Sequence, residues 1–241
     1  MMNPEKCSVV LVGPQGSLNI GSVCRVMKNF GFSDLRLVTP QADHLDKQAT
    51  DMAVKAKNLL NDAVVYQSLA DSLTDCHLVI GTTRRFGKYR EDFLYPEDIV
   101  RITKRLDNDS RTALVFGRED SGLTTAELDL CHQFLTIPTS EDLPSMNLAQ
   151  AVCVCLYECN KGRAVTSAEG SARMLADSEN VEAMFQHMRC TLNDIEYLDQ
   201  QNPDHMLRTF RRIFGRAGLD ERETNILRGL WNRIDWLNSQ R

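Results

Sequence analysis

The residues best suited to chemistry fall in three short segments, each following an apolar run and each holding glycine or proline beside polar side chains. The first is Asn19-Ile20-Gly21-Ser22-Val23-Cys24-Arg25. Asn19 is a residue type that caps helix N-termini, and Arg25 falls about two turns further on. A guanidinium beside a helix N-terminus can grip a phosphate bidentately; on this segment alone Arg25 reads equally as a solvated surface charge. In the second, the strand-like run Leu114-Val115-Phe116 ends in Gly117-Arg118-Glu119-Asp120-Ser121-Gly122-Leu123. Gly117 would let a ligand approach the backbone closely, and Glu119 puts a carboxylate at the strand tip; an ordinary strand-turn-helix joint has the same glycines. The third runs from Ile137-Pro138 through Pro144-Ser145-Met146-Asn147-Leu148. Ser145 or Asn147 there serves as an N-cap, and a polar loop rich in backbone donors and acceptors also suits adenine.

Other chemistries fit less well. Gly13, Gly16 and Gly21 are spaced too widely for the dinucleotide fingerprint, and no phosphate-loop Gly-Lys-Ser/Thr occurs. A nucleotide-binding oxidoreductase is therefore disfavoured. The eight cysteines include no C-x-x-C pair. Cys153, Cys155 and Cys159 cluster in a helical apolar stretch where a metal site is conceivable, but burial as small hydrophobes is the expected role. No metal is predicted.

These segments need a scaffold, and the hydrophobic pattern supplies one. Short apolar runs at 8–12, 35–38, 64–66, 77–81, 113–116 and 135–137 read as strands. Helical patterns lie between them at 20–30 (closed by Gly31), 46–60, 68–76, 97–106 and 124–131, and a long apolar helix spans 148–160. This alternation predicts an α/β fold with a mostly parallel sheet covered on both faces. The loops at the carboxyl ends of its strands are the default ligand site. The α/β unit is expected to span residues 1–162, with a linker over 163–180 and an all-helical extension over 181–241. That extension shows three apolar stripes: Met184, Phe185, Met188 and Leu192; Met206, Leu207, Phe210 and Phe214; and Ile226, Leu227, Leu230, Ile234 and Leu237.

The net charge of −5 argues mildly against nucleic acid, yet local clusters decide phosphate binding. Two exist. One is Arg84, Arg85, Lys88 and Arg90, interleaved with Phe86 and Tyr89; the other is Arg208, Arg211, Arg212 and Arg216. The second reads alternatively as a helix face paired with Asp204 and Asp220. No run of about 18 apolar residues and no signal-like start is present, so no membrane association and a cytoplasmic location are expected.

In order and spacing, Asn19/Gly21/Arg25, Phe116/Gly117/Glu119/Gly122/Leu123 and Ile137/Pro138/Ser145/Asn147/Ala151 resemble the three motifs of the SPOUT superfamily, specifically its TrmH-like RNA 2′-O-methyltransferases. Met146 stands where leucine is usual. Residues 209–217 and 223–229 are similar to the helical extension of the TrmJ branch. The resemblance implies a trefoil knot at the end of the sheet and a homodimer with its active site at the subunit interface. Residues 148–160 and part of the helix from Ile20 would form that contact. It implies S-adenosylmethionine as cofactor, held by Thr82, Thr83, Arg84, Gly117, Ile137, Pro144, Ser145, Met146 and Leu148. The implied substrate is tRNA, at the ribose of cytidine or uridine 32 of the anticodon loop; rRNA, or a catalytically silent RNA-binding protein, is the alternative. Catalysis would fall to Arg25, Asn147 and Ser145, and RNA contact to Asn19, Arg25, Arg84, Arg85, Lys88, Arg90, Arg211 and Arg212. In the family the motif-one arginine is proposed to assist deprotonation. A guanidinium stays protonated in proteins, so phosphate grip and stabilisation of a developing alkoxide suit Arg25 better. Glu119 is left as either functional or an acceptor of loop amides.

Overall fold

A computed structural model describes residues 3–84, 93–107, 109–161, 174–199 and 202–240. Strand β1 (Cys7–Val12) leads into helix α1 (Ser17–Phe30), then β2 (Asp34–Val38), α2 (Lys47–Ala53), α3 (Lys57–Asn61) and β3 (Val64–Tyr66). There follow α4 (Leu69–Leu73), β4 (Leu78–Thr82), β5 (Phe93–Leu94), α5 (Asp98–Thr103), β6 (Thr112–Phe116), α6 (Thr125–Asp129), β7 (Gln133–Leu135) and α7 (Leu148–Lys161). Helices α8 (Ser178–Asp194), α9 (Pro203–Ala217) and α10 (Glu221–Asn238) complete the chain.

The seven strands form one sheet in the order β3-β2-β1-β6-β4-β7-β5, every pairing parallel. Alternation along each strand splits its side chains between two cores. Val9, Leu11, Ile80, Leu114 and Phe116 enter the core under α1 and α7. Val10, Val12, Val79, Ala113 and Val115 enter the opposite core under α4 and α6. Helix α1 presents Ile20, Val23, Cys24 and Met27 to the first, all fully buried, each contributing roughly 1.5–3 kcal/mol through its removal from water. Gly31 closes that helix in the left-handed region at φ 78°, as its position in the sequence implied.

Several local expectations need correction. The helical pattern over 46–60 is broken at Val54, whose φ is 51°, into α2 and α3 joined by a 3-10 turn. Edge strand β5 has only two residues, too few to show a period. Strand β7 ends at Leu135, so Ile137 belongs to the following loop. Asn19 does not cap α1: the helix begins earlier, with Gly16 at the cap and no side-chain cap bond.

The C-terminal helices enclose a third core of Met184, Phe185, Met188, Leu192, Leu198, Leu207 and Trp231. On α10 the inward residues are Thr224, Leu227, Trp231 and Ile234, whereas Ile226, Leu230 and Leu237 of the expected stripe are about half exposed. The stripe mixed two faces. This unit touches the sheet at defined points. Ser178 N–H donates to the Cys76 carbonyl at 2.8 Å, and the Gln133 amide donates to the Gly215 carbonyl at 3.0 Å. A Cβ on Gly215 would lie 2.5 Å from the His132 carbonyl oxygen, so only glycine lets α9 approach the start of β7 this closely. Within the expected linker, Ala176 is buried and bonds to the Leu219 carbonyl; residues 162–173 lie outside the described set. Among the described residues no helix is long and apolar enough to cross a membrane.

Candidate active site

Strands β6, β4 and β7 lie side by side, and a cleft opens where their carboxyl ends meet the loops that follow. Thr82 fixes one wall: its hydroxyl donates to the Val115 carbonyl at 2.9 Å, while Thr83 N–H donates to the Leu135 carbonyl at 2.9 Å. The end of β4 is thereby tied to both neighbours. Arg84 follows, exposed at the rim. Gly117 ends β6 against the returning turn, and a Cβ there would fall 2.2 Å from the carbonyl carbon of Gly122. The chain's own backbone therefore requires glycine at 117, which also lines the cleft. The third wall is the loop after β7, with Ile137, Pro144, Ser145 and Met146 leading to Leu148 of α7; Thr139 braces it through a 3.1 Å bond to the Pro144 carbonyl. All nine residues expected around a cofactor line this one cleft.

The lining divides by chemistry. Phe116, Leu123, Leu135, Ile137, Met146 and Leu148 are apolar, while Thr82, Thr83, Ser121, Thr139 and Ser145 supply hydroxyls. Such a surface fits a purine nucleoside with a polar tail: an apolar slot for the base, hydroxyl and main-chain groups for ribose and amino acid. Arg118 also reaches the cleft, but its charge is committed. It pairs with Glu127 at 2.9 Å and lies against Gly13, where a Cβ would fall 2.8 Å from its Nε. Burial would raise the Glu127 carboxyl, yet the bonds from Arg118 outweigh it and hold the group below its ordinary value. Glu127 also completes a capping box with Thr124. Nothing in the sequence marks Arg118, because its acidic partner is nine residues away and its glycine neighbour more than a hundred.

Beside the cleft, the three motifs meet through side chains. Glu119 accepts from Gln15 N–H at 2.9 Å, Gly16 N–H at 3.1 Å and the Asn19 amide at 2.8 Å, and so closes the N-terminus of α1 with a carboxylate. Of its two readings, acceptance of loop amides is the one observed. Asn19 in turn accepts from the Asn147 amide at 2.8 Å. Asn147 caps α7, its Oδ1 accepting from Ala149 N–H at 2.9 Å and Gln150 N–H at 3.4 Å. Ser145 is exposed on the cleft wall.

The arginines separate sharply. Arg25 is exposed on α1, makes no hydrogen bond or ion pair among the described residues, and is not part of the cleft wall. Arg211 forms a two-pronged pair with Glu182 at 2.7 and 2.8 Å and lies 4.5 Å over the Phe185 ring. Arg208 binds Asp129 at 3.1 Å, and Asp204, one of the acids expected opposite this cluster, pairs with Arg189. Arg212 is partly buried, with Nη1 shielded from solvent. Arg85, Lys88 and Arg90, with Phe86 and Tyr89, lie outside the described residues. No cluster of three or more metal-ligating side chains occurs among the described residues. Cys155 and Cys159 sit in the core beneath α7, where burial pushes the Cys159 thiol up to about 12.

Residues 6–157 match the model of the SpoU rRNA methylase family, and the chain belongs to that family. Residues 179–241 match a second model, the C-terminal domain of tRNA methyltransferase TrmJ. The chain is 34% identical over 239 residues to the tRNA (cytidine/uridine/adenosine-2′-O-)-methyltransferase TrmJ of Pseudomonas aeruginosa, covering 94% of this chain and 92% of the relative. It is 31% identical over 237 residues to the tRNA (cytidine/uridine-2′-O-)-methyltransferase TrmJ of Photorhabdus laumondii, covering 96% and 97%. The crystal structure of TrmJ from Z. mobilis superposes with a TM-score of 0.81 at 29% identity over 95% of this chain and 98% of that one.

Proposed function

We propose that this chain is an S-adenosylmethionine-dependent tRNA 2′-O-methyltransferase acting on the ribose of cytidine or uridine at nucleotide 32 of the anticodon loop. One observation carries the reading: the second and third motifs that resemble those of the TrmH-like enzymes line a single amphipathic cleft at the carboxyl edge of the sheet, and Asn19 of the first is hydrogen-bonded to Glu119 and Asn147 beside it. The match of the C-terminal helices to a tRNA methyltransferase domain favours tRNA over rRNA.

In this reading Thr82, Thr83, Gly117, Ile137, Pro144, Ser145, Met146 and Leu148 hold the cofactor, and Arg84 stands at the rim where RNA enters. The bound sulfonium supplies an activated methyl group that needs no metal to leave. The chain's residues then position a ribose hydroxyl in line with it and help the proton depart. Ser145 lies on the cleft wall and orients the hydroxyl. Arg25 grips the adjacent phosphate and stabilises the developing alkoxide. Because Arg25 is exposed and absent from the wall of its own cleft, the reading includes a cytoplasmic homodimer that brings Arg25 to the site across the subunit contact made by α1 and α7. It also includes the trefoil knot that the family resemblance implies at the end of the sheet.

Methyl transfer from labelled S-adenosylmethionine to total tRNA, followed by nucleoside analysis, tests this reading. The expected product is 2′-O-methylcytidine or 2′-O-methyluridine, lost from transcripts that already carry a 2′-O-methyl at nucleotide 32. Label in a base, or in rRNA alone, would overturn it.

A further inference from the structure

The Glu119–Asn19–Asn147 chain of hydrogen bonds has a fixed polarity, set independently at each end. A carboxylate only accepts, so Asn19 must turn its NH₂ toward Glu119, 2.8 Å away. That leaves the Asn19 Oδ1 facing Asn147, which must answer with its own NH₂ at 2.8 Å. At the far end, the first turn of α7 offers only N–H groups, so Asn147 must meet Ala149 and Gln150 with Oδ1. The two ends demand the same orientation of both amides. The bonds also join distant stretches of chain, separated by 100 and 128 residues.

We propose, resting on the methyltransferase reading, that Asn19 is a positioning residue which makes Asn147 a hydrogen-bond donor, and never an acceptor, toward the ribose oxygen. The Asn147 Oδ1 is committed to two amides of α7, and one of its N–H groups to Asn19. Its remaining N–H is what an incoming group can meet. A donor there binds a lone pair of the 2′-oxygen and strengthens as negative charge develops during transfer. It leaves the hydroxyl proton to depart toward another acceptor. Asn19, assigned from the sequence to RNA contact, has its carbonyl and one N–H bonded within the protein.

Charge-neutral exchange tests the polarity. Asn19→Asp sets two carboxylates against each other and should lower kcat by roughly a hundredfold, the scale of losing one preorganised donor, with the KM for S-adenosylmethionine changed less than about threefold. Adding Glu119→Gln restores donor to acceptor at that contact, keeps the introduced carboxylate as acceptor for Asn147, and returns the net charge to that of the parent. The double variant should recover at least about tenfold of the loss. Asn19→Ala, with a good helix former, guards against a folding artefact: kcat should fall about tenfold while the melting temperature stays within a few degrees. If Asn19→Asp transfers methyl normally, or if the double variant is no better than the single one, the assignment is wrong. So it is if the Asn19→Ala loss appears in KM alone. The parent protein is assayed in parallel; its failure to methylate tRNA would count against the function, whereas an active parent with insensitive variants counts against the polarity alone.

Discussion

Helices α1 and α9 each carry an arginine singled out for RNA, and the two arginines meet opposite fates. Arg25 on α1 stands exposed, without an ion pair among the described residues. Arg211 on α9 is three-quarters hidden, held by Glu182 and stacked on Phe185. The surroundings explain the contrast. Helix α1 carries no acidic residue of its own, so nothing on that helix neutralises Arg25. Helix α9 lies against α8 and the start of β7, so Arg208 and Arg211 serve to join layers. Exposed, unpaired charge is available for phosphate; charge spent on packing is available for stability.

Substituting each arginine sharpens that difference. Arg25→Ala should lower methyl transfer by about a hundredfold or more, with S-adenosylmethionine affinity within a few fold and an unchanged melting temperature. Loss of cofactor binding would move Arg25 into the cofactor site; normal turnover would return it to the surface. Arg211→Ala should do the reverse. It strands Glu182, whose carboxyl burial would raise but whose bonds from Arg211 now hold it low, and it should cost about 2 kcal/mol in urea unfolding. Turnover per folded molecule should hold within a few fold. A stable variant with weakened tRNA binding would show that Arg211 contacts RNA after all.

The smallest effect concerns His132 at the same joint. Burial, with the positive charge of Arg211 adding to it and Glu182 opposing, lowers its pKa to about 4. Its Nδ1 accepts from Val79 N–H at 3.1 Å, which requires the neutral ring. Between pH 6.5 and 4 the unfolded chain binds a proton that the folded one resists, so stability from this residue is present above pH 6.5 and lost on acidification through that window. His132→Asn, which can keep the bond to Val79, should flatten the fall in stability by roughly 1–2 kcal/mol between those pH values. Identical acid profiles for the two proteins would show that the ring titrates normally.

Much of this was legible beforehand, and the reasons are specific. Strands β1, β4 and β6 were readable because parallel strands buried on both faces are continuous apolar runs. Helix α1 was readable from its four inward residues and Gly31. Strand β5 was not, being two residues long, nor was the break at Val54, since valine carries no local signal for a positive φ. The third apolar stripe failed because Trp231, the residue that anchors α10, lies between positions that look equally apolar.

The sequence by itself determined which residues surround the cleft, because a glycine that must yield to backbone, a loop of hydroxyls and an apolar strand end are each marked by residue type in place. It also supplied the family. Only the tertiary structure decided what those residues do to one another. Asn19 looked like a helix cap, and Glu119 stood open between a functional group and an acceptor of loop amides, until chain segments a hundred residues apart met. Hydrogen-bond polarity belongs to partners, and partners so far apart in sequence are chosen by the fold.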